Sequence, residues 1–132
     1  MRIDSLIRFI VLKGEWEDEM ANLSSITEIS MHPAYQQIIG MGKTAIPYIL
    51  YELSELSDEK PSYCYWFWAL KSITGEDPVT GKKPILDDQK GNIKEMAKAW
   101  LKWGKHNGYR KIKQGRGYRF EKISKNLSNF IG

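Results

Sequence analysis

A run of large apolar side chains, YCYWFWALKSITG from Tyr63 onward, constrains the fold of this 132-residue chain more than any other segment. At the helical period, Tyr63, Trp66 and Leu70 share one face, and apolar residues continue around most of the circumference. A helix that is apolar almost all round must be flanked by neighbours on several sides. The run therefore predicts the central helix of a helical core, beginning near Pro61 and ending at Gly75.

The same segment contains two aromatic side chains, Tyr65 and Trp68, for which an alternative role stays open. Trp68 points away from the main apolar face of the helix. Aromatic residues supply much of the binding energy at protein interfaces. If either side chain protrudes from the core, we predict that it anchors a partner protein.

Apolar residues also recur at helical spacing on both sides of this segment. Near the N-terminus the spacing predicts an amphipathic helix over residues 3–12, with Gly14 beyond its end. Its apolar stripe consists of Ile3, Leu6, Ile7, Ile10 and Val11. A second helix is predicted around residues 16–23, with four acids in its first turn, where they favour the positive end of the helix dipole. Further helices are predicted over about 33–39, 44–56, 62–74 and 92–104, with no strand before Gly108.

The positive charge of the chain is concentrated at its C-terminal end. From Lys105 onward there are eight Lys or Arg residues and one acid, Glu121, which gives a net charge of +7, whereas residues 1–104 carry −3.

Two conformations fit the sequence of this C-terminal end. Phe120 and Ile123 continue into a helical apolar period, whereas YRFEKI alternates like a short strand. We predict the helix, over residues 118–130, because the helical period persists for longer, with Gly115 and Gly117 as a hinge before it.

This basic end predicts a nucleic-acid interface. The predicted nucleic-acid-binding residues are Arg110, Lys111, Lys113, Arg116, Arg119, Lys122 and Lys125, and they are interleaved with Tyr109, Tyr118 and Phe120. Cationic side chains neutralise phosphates, and aromatic rings stack on unpaired bases. Two alternatives remain: a solvated basic terminus that keeps the protein soluble, or docking of Tyr118 and Phe120 on a partner protein with an acidic patch.

The sequence offers no constellation for catalysis, so we predict a protein that is not an enzyme. Cys64, the single cysteine, fits a buried thiol better than a nucleophile, because His32 and His106 lie in unrelated segments. The stretch GMGKT lacks the first glycine and the preceding strand of a phosphate loop. No His or Cys pair has the spacing of a metal site, and no cofactor is expected. Paired carboxylates stay open, because their separation depends on the fold.

Four stretches carry a resemblance to a family of small, uncharacterised bacterial proteins: HPAYQQIIGMG, AIPYIL, WFWALKSITGEDPV and GNIKEMAKAWLKWGKHNGY. The resemblance covers about residues 23–109. The stretch AIPYILYELSE followed by YWFWALKSITG is also similar to the paired helices of HEAT-like repeats. The resemblance implies a compact helical module and supplies no catalytic residues.

Together these observations predict an all-α fold, a compact bundle of five or six helices with a HEAT-like helical pair. We expect a helical domain over residues 1–108 and a basic C-terminal extension over 109–132. The single cysteine and the absence of a signal sequence or a membrane-spanning run favour a cytoplasmic protein.

The predicted function is an accessory subunit that binds a partner protein in a larger bacterial assembly. The alternative is a nucleic-acid-binding accessory protein of a mobile-element or defence system. Self-association is a further expectation, because one helical pair cannot bury its own faces.

Overall fold

The structure is a computed structural model that describes residues 2–20, 22, 26–55, 63–78 and 89–123. Within these residues the chain is mostly helical and ends in a β-hairpin. The helices are α1 (Arg2–Met20), α2 (Ile26–Ser30), α3 (Pro33–Gly40), a 3₁₀ helix (Gly42–Ala45), α4 (Ile46–Ser54), α5 (Tyr63–Thr74) and α6 (Gln89–His106). The strands are β1 (Tyr109–Gln114) and β2 (Gly117–Lys122). None of the described helices combines the length and the apolar character that a membrane span requires.

The aromatic-rich segment forms the central helix, as its pattern predicts. Helix α5 contacts α3, α4 and α6, and Trp66 and Leu70 are buried. The ring of Trp16 from α1 lies 5.3 Å from that of Trp66 and 4.7 Å from that of Tyr35. The indole N–H of Trp16 donates to the carbonyl of Ile29 at 3.0 Å, so this buried polar group is satisfied. The core is therefore a cluster of interlocking aromatic rings around α5.

The prediction of two separate N-terminal helices is wrong, because α1 runs without a break through Gly14. A glycine inside a helix costs only about 1 kcal/mol relative to alanine. Leu12 and Trp16, four residues apart on either side of Gly14, are both buried on the same face. Their packing against the core outweighs the cost of the glycine, so the helix continues to Met20.

The prediction of a purely all-α fold is also wrong, because residues 109–122 form an antiparallel hairpin. The predicted helix over 118–130 is replaced by β2 as far as Lys122, and residues 124–132 lie outside the described part of the chain. The predicted hinge is the hairpin turn. Gln114 pairs with Gly117, and Gly115 between them has φ 58°, the left-handed conformation that two-residue hairpin loops require.

The start of the hairpin depends on a second glycine. Gly108 has φ 88°, and an added Cβ would lie 2.7 Å from the carbonyl oxygen of Ile123. The carbonyl of Gly108 in turn accepts the backbone N–H of Ile123 at 2.6 Å. The conformation of Gly108 turns the chain from the end of α6 into β1, and the hydrogen bond to Ile123 places the end of β2 beside the start of β1.

Candidate functional site

Helix α1 presents an aliphatic surface to solvent on the side away from the core. The α1 aliphatic face consists of Leu6, Ile7, Ile10 and Val11, whose side chains are 41% to 54% exposed. Residues three and four apart on a helix are neighbours, so these four side chains form one continuous stripe. The Ile3 side chain lies outside the described part of the structure. Single exposed apolar residues are common, whereas a contiguous aliphatic patch makes this side of α1 a candidate interaction surface.

This arrangement reverses what the N-terminal pattern indicates. The stripe that the sequence predicts as the apolar face of the helix is exposed, whereas Phe9, Leu12 and Trp16 are buried. The ring of Phe9 lies 5.4 Å from that of Tyr48 on α4 and 5.6 Å from that of Trp66 on α5. Helix α1 is thus apolar on two sides, and only one of them is covered by the described residues.

The charges near the α1 aliphatic face differ between its two ends. One acid and one base, Asp4 and Arg8, are exposed in the N-terminal half of the helix, whereas Glu15 and Asp18 are exposed beyond the C-terminal end of the face. Lys13, the base nearest to these acids along the helix, forms an ion pair with Glu52 on α4 at 3.1 Å. The C-terminal end of the surface is therefore acidic.

The two aromatic residues predicted to bind a partner have different positions. Tyr65 is buried and its carbonyl accepts the hydroxyl of Tyr35 at 2.6 Å. Trp68 is 46% exposed and borders an open cleft of about 220 Å³. The cleft is lined by Ser30, Tyr35, Gln36, Ile39, Trp68, Lys71 and Ser72. Pockets for small molecules usually measure about 300–1,000 Å³, so this cleft is smaller than most of them.

The aromatic residues of the hairpin face the helical body. The ring of Tyr109 is buried and stacks on that of Trp103 at 6.0 Å. The ring of Tyr118 lies 5.3 Å from that of Tyr51, and its hydroxyl contacts Ser54 at 3.1 Å and donates to the carboxylate of Glu55. Phe120 is half-buried against the core. These three rings fix the hairpin to the body, which explains why the segment interleaves aromatic and basic residues.

The environment of the two tyrosines affects their ionisation. Burial raises the pKa of Tyr109 above its ordinary value. Burial also raises the pKa of Tyr118, and the hydrogen bond to the Glu55 carboxylate adds to this effect. Both phenols therefore keep their protons at neutral pH, which lets Tyr118 act as a hydrogen-bond donor.

The predicted basic residues divide into two groups. Some are engaged within the hairpin: the Lys111 ammonium lies 3.8 Å from the centre of the Tyr118 ring, and Lys122 lies 5.2 Å from that of Tyr109. Arg119 donates to Glu121 at 2.8 Å and to Gln114 at 3.0 Å. The second group consists of Arg110, Lys113 and Arg116, on β1 and the turn; the residues of both groups are exposed. Lys125 lies outside the described residues.

The residues considered for catalysis lie on different elements of the fold. His32 caps α3, because its Nδ1 accepts the N–H of Ala34 at 3.0 Å while its Nε2 lies 3.1 Å from Glu19. His106 is in the last turn of α6, and the side chain of Cys64 lies outside the described part. The GMGKT stretch ends α3 and enters the 3₁₀ helix. Among the described residues, no group of three His, Cys, Asp or Glu side chains is placed to hold a metal ion.

Comparison of the chain with models of known protein families, with curated proteins and with solved structures gave no match.

Sequence reasoning predicted the basic hairpin residues but missed the exposure of the α1 aliphatic face. One signal for it was present. The stripe through Phe9, Leu12, Trp16 and Met20 continues to the C-terminal end of the helix, whereas the stripe from Leu6 to Val11 stops before Gly14. The longer of the two stripes is the buried one.

Proposed function

We propose that this protein is a non-enzymatic interaction module, an accessory subunit that binds a partner protein through the α1 aliphatic face. The observation that carries the proposal is the exposure of four adjacent aliphatic side chains on a helix whose opposite side is buried in the core. Contiguous exposed apolar patches are often the sites at which proteins bind one another, which supports the proposal.

The chemistry of the surface defines the partner. An aliphatic stripe along a helix matches the apolar face of another amphipathic helix, which docks through residues spaced three and four apart. The acidic C-terminal end, with Glu15 and Asp18, favours Lys or Arg beside that stripe on the partner. The partner that fits is therefore an amphipathic helix with an aliphatic face and a basic flank.

The α1 aliphatic face alone supplies too little energy for tight binding. Full burial of an aliphatic side chain contributes about 1.5–3 kcal/mol, and about half of each of the four remains to be buried. Their gross contribution is thus roughly 3–6 kcal/mol, comparable with the lower estimates of the entropic cost of association. Contacts beyond the stripe, such as an anchor in the cleft beside Trp68, would add to it.

Site-specific photo-crosslinking in the native host tests the proposal. A photoreactive residue at Ile10 should capture a specific protein that the same residue at Lys98, an exposed position on α6, does not capture. Binding is then measured with the purified partner and chain. Ile10→Glu should weaken it at least about tenfold, whereas Gln37→Glu, which adds the same charge at an exposed position on α3, should not.

Two outcomes contradict the proposal. If Ile10→Glu binds the purified partner as tightly as the unmodified chain, the contact lies elsewhere. If the chain sediments as a dimer and Ile10→Glu is monomeric, the face is covered by a second copy of the chain instead of a different protein.

A further inference from the structure

We propose that the β-hairpin binds the phosphate backbone of double-stranded DNA, with its exposed cations and without base stacking. The hairpin over residues 109–122 has six Lys or Arg residues and one acid, Glu121. That acid is already paired with Arg119 at 2.8 Å. The hairpin as a whole therefore carries a net charge of +5, six cations against one acid.

The position of the aromatic rings excludes the usual mode of single-strand binding for this hairpin. Proteins that bind single strands without sequence preference stack the bases on exposed aromatic side chains. Here Tyr109 is buried, and Tyr118 and Phe120 pack against the helical body. Releasing them for stacking would detach the hairpin from α4. The surface is thus left with cations as its means of binding nucleic acid.

A surface that binds by charge alone favours a duplex over a single strand. Duplex DNA carries one phosphate per roughly 1.7 Å of its axis, about twice the linear density of one of its strands, so neutralising its phosphates releases more counterions. Arg110 and Lys113 are three residues apart on β1, about 10 Å at the rise of a β-strand, and Arg116 lies in the turn beyond them. If each cation pairs with one phosphate, three phosphates are neutralised.

The shape of the surface favours DNA over RNA. The major groove of B-form DNA admits a two-stranded β-ribbon, whereas that of an A-form RNA duplex is too narrow to be entered by side chains. One face of the hairpin packs on α4 and α6, and the other, with Arg110 and Arg119, faces away from the body. Lys113 lies opposite Tyr118 in the register, so it belongs to the packed face, where it is exposed near the turn. A ribbon in the groove would therefore meet phosphates with cations from both of its faces.

Fluorescence anisotropy of the full chain with a short labelled DNA duplex, the same DNA as a single strand and an RNA duplex of equal length tests the proposal. With three phosphates neutralised, the salt slope should be about 2.7, so affinity for the DNA duplex falls roughly 40-fold between about 50 and 200 mM salt. The DNA duplex should be bound more tightly than either alternative. The combined variant Arg110→Gln, Lys113→Gln and Arg116→Gln should reduce the slope to near zero.

The control variant changes the same total charge on another surface. Lys94→Gln, Lys98→Gln and Lys102→Gln remove three exposed cations from α6 and should leave the affinity within about threefold. The proposal is overturned if the single strand or the RNA duplex binds as tightly as the DNA duplex, or if no binding occurs at low salt. Equal losses in the two triple variants would also overturn it, because net charge would then explain the binding.

Discussion

The two sides of α1 allow a direct test of which apolar stripe belongs to the core. Leu12 and Ile10 are two residues apart on one helix, but Leu12 is 7% exposed and Ile10 is 54% exposed. Replacing each by alanine removes similar aliphatic groups and leaves the helix intact, since alanine is the best helix former. Any difference between the two variants therefore reports burial.

The expected losses follow from these exposures. Removing a buried leucine side chain costs about 2–5 kcal/mol of unfolding free energy, because the transfer energy is lost and a cavity is left. The Ile10 side chain is about half-buried, so its removal costs about half of the full burial energy of roughly 1.5–3 kcal/mol. The higher helix propensity of alanine offsets a few tenths of a kcal/mol of this loss. We expect a loss below about 1 kcal/mol for Ile10→Ala and at least twice that for Leu12→Ala.

Urea denaturation followed by circular dichroism measures both losses. It should be repeated at two protein concentrations, because a concentration-dependent midpoint would reveal self-association. If Ile10→Ala costs as much as Leu12→Ala at the lower concentration, the α1 aliphatic face is covered within the folded chain. The proposal that it docks a partner protein would then be wrong.

Three further predictions concern the core and the hairpin. Leu70→Ala should lower the unfolding free energy by about 2–5 kcal/mol in the same assay, because Leu70 is fully buried on α5. Gly104→Ala should cost about 1–3 kcal/mol, because the new Cβ would lie 2.8 Å from a methyl of the buried Leu50; a neutral effect would show that this contact relaxes freely. The raised pKa of Tyr118 means that the folded state holds this proton more tightly than the unfolded state, so its stabilising effect is present below pH 10 and is lost as pH rises above that value. Denaturation between pH 9 and 11 should show a shallower decline for Tyr118→Phe than for the unmodified chain, and equal slopes would contradict this assignment.

The central helices could be predicted from the sequence because their signals are local. The pattern that predicts residues 62–74 corresponds to α5, and that for 44–56 corresponds to α4, with differences of one or two residues at the ends. The two helices pack against each other. In both helices three features indicate the same helix: the spacing of the apolar residues, the proline near the start and the face that is buried.

The face of α1 could not be assigned in the same way, because the helix carries two apolar stripes. Periodicity predicts that a stripe exists, but which stripe is buried depends on neighbours far along the chain. Here the rings of Tyr48 and Trp66 lie beside Phe9 and so fix the rotation of the helix. These contacts span about forty to sixty residues of sequence, and no local pattern contains them.

The hairpin was missed because two periods coincide over a short segment. Phe120 and Ile123 are three residues apart, as on a helix, yet Tyr118 and Phe120 also alternate, as on a strand. Pairing with residues 109–114 decides between the two conformations, since β2 gains its hydrogen bonds from β1. The glycine at position 115 was interpreted as a hinge, although its left-handed conformation is what a tight hairpin turn requires.

Both candidate surfaces are attached to the last two turns of α4. Glu52 forms an ion pair with Lys13 of α1. Tyr118 of β2 packs on the ring of Tyr51, and its hydroxyl forms hydrogen bonds with Ser54 and with Glu55 just beyond the helix. A substitution in these turns would therefore move both surfaces, and a loss of binding could not be assigned to either. The variants at position 10 and at positions 110, 113 and 116 avoid this problem, because they change exposed side chains outside α4. Since one surface is aliphatic with an acidic end and the other is cationic, a polyanion is repelled by the first and attracted by the second. Partner binding and DNA binding should thus be lost separately, which lets each proposal fail without the other.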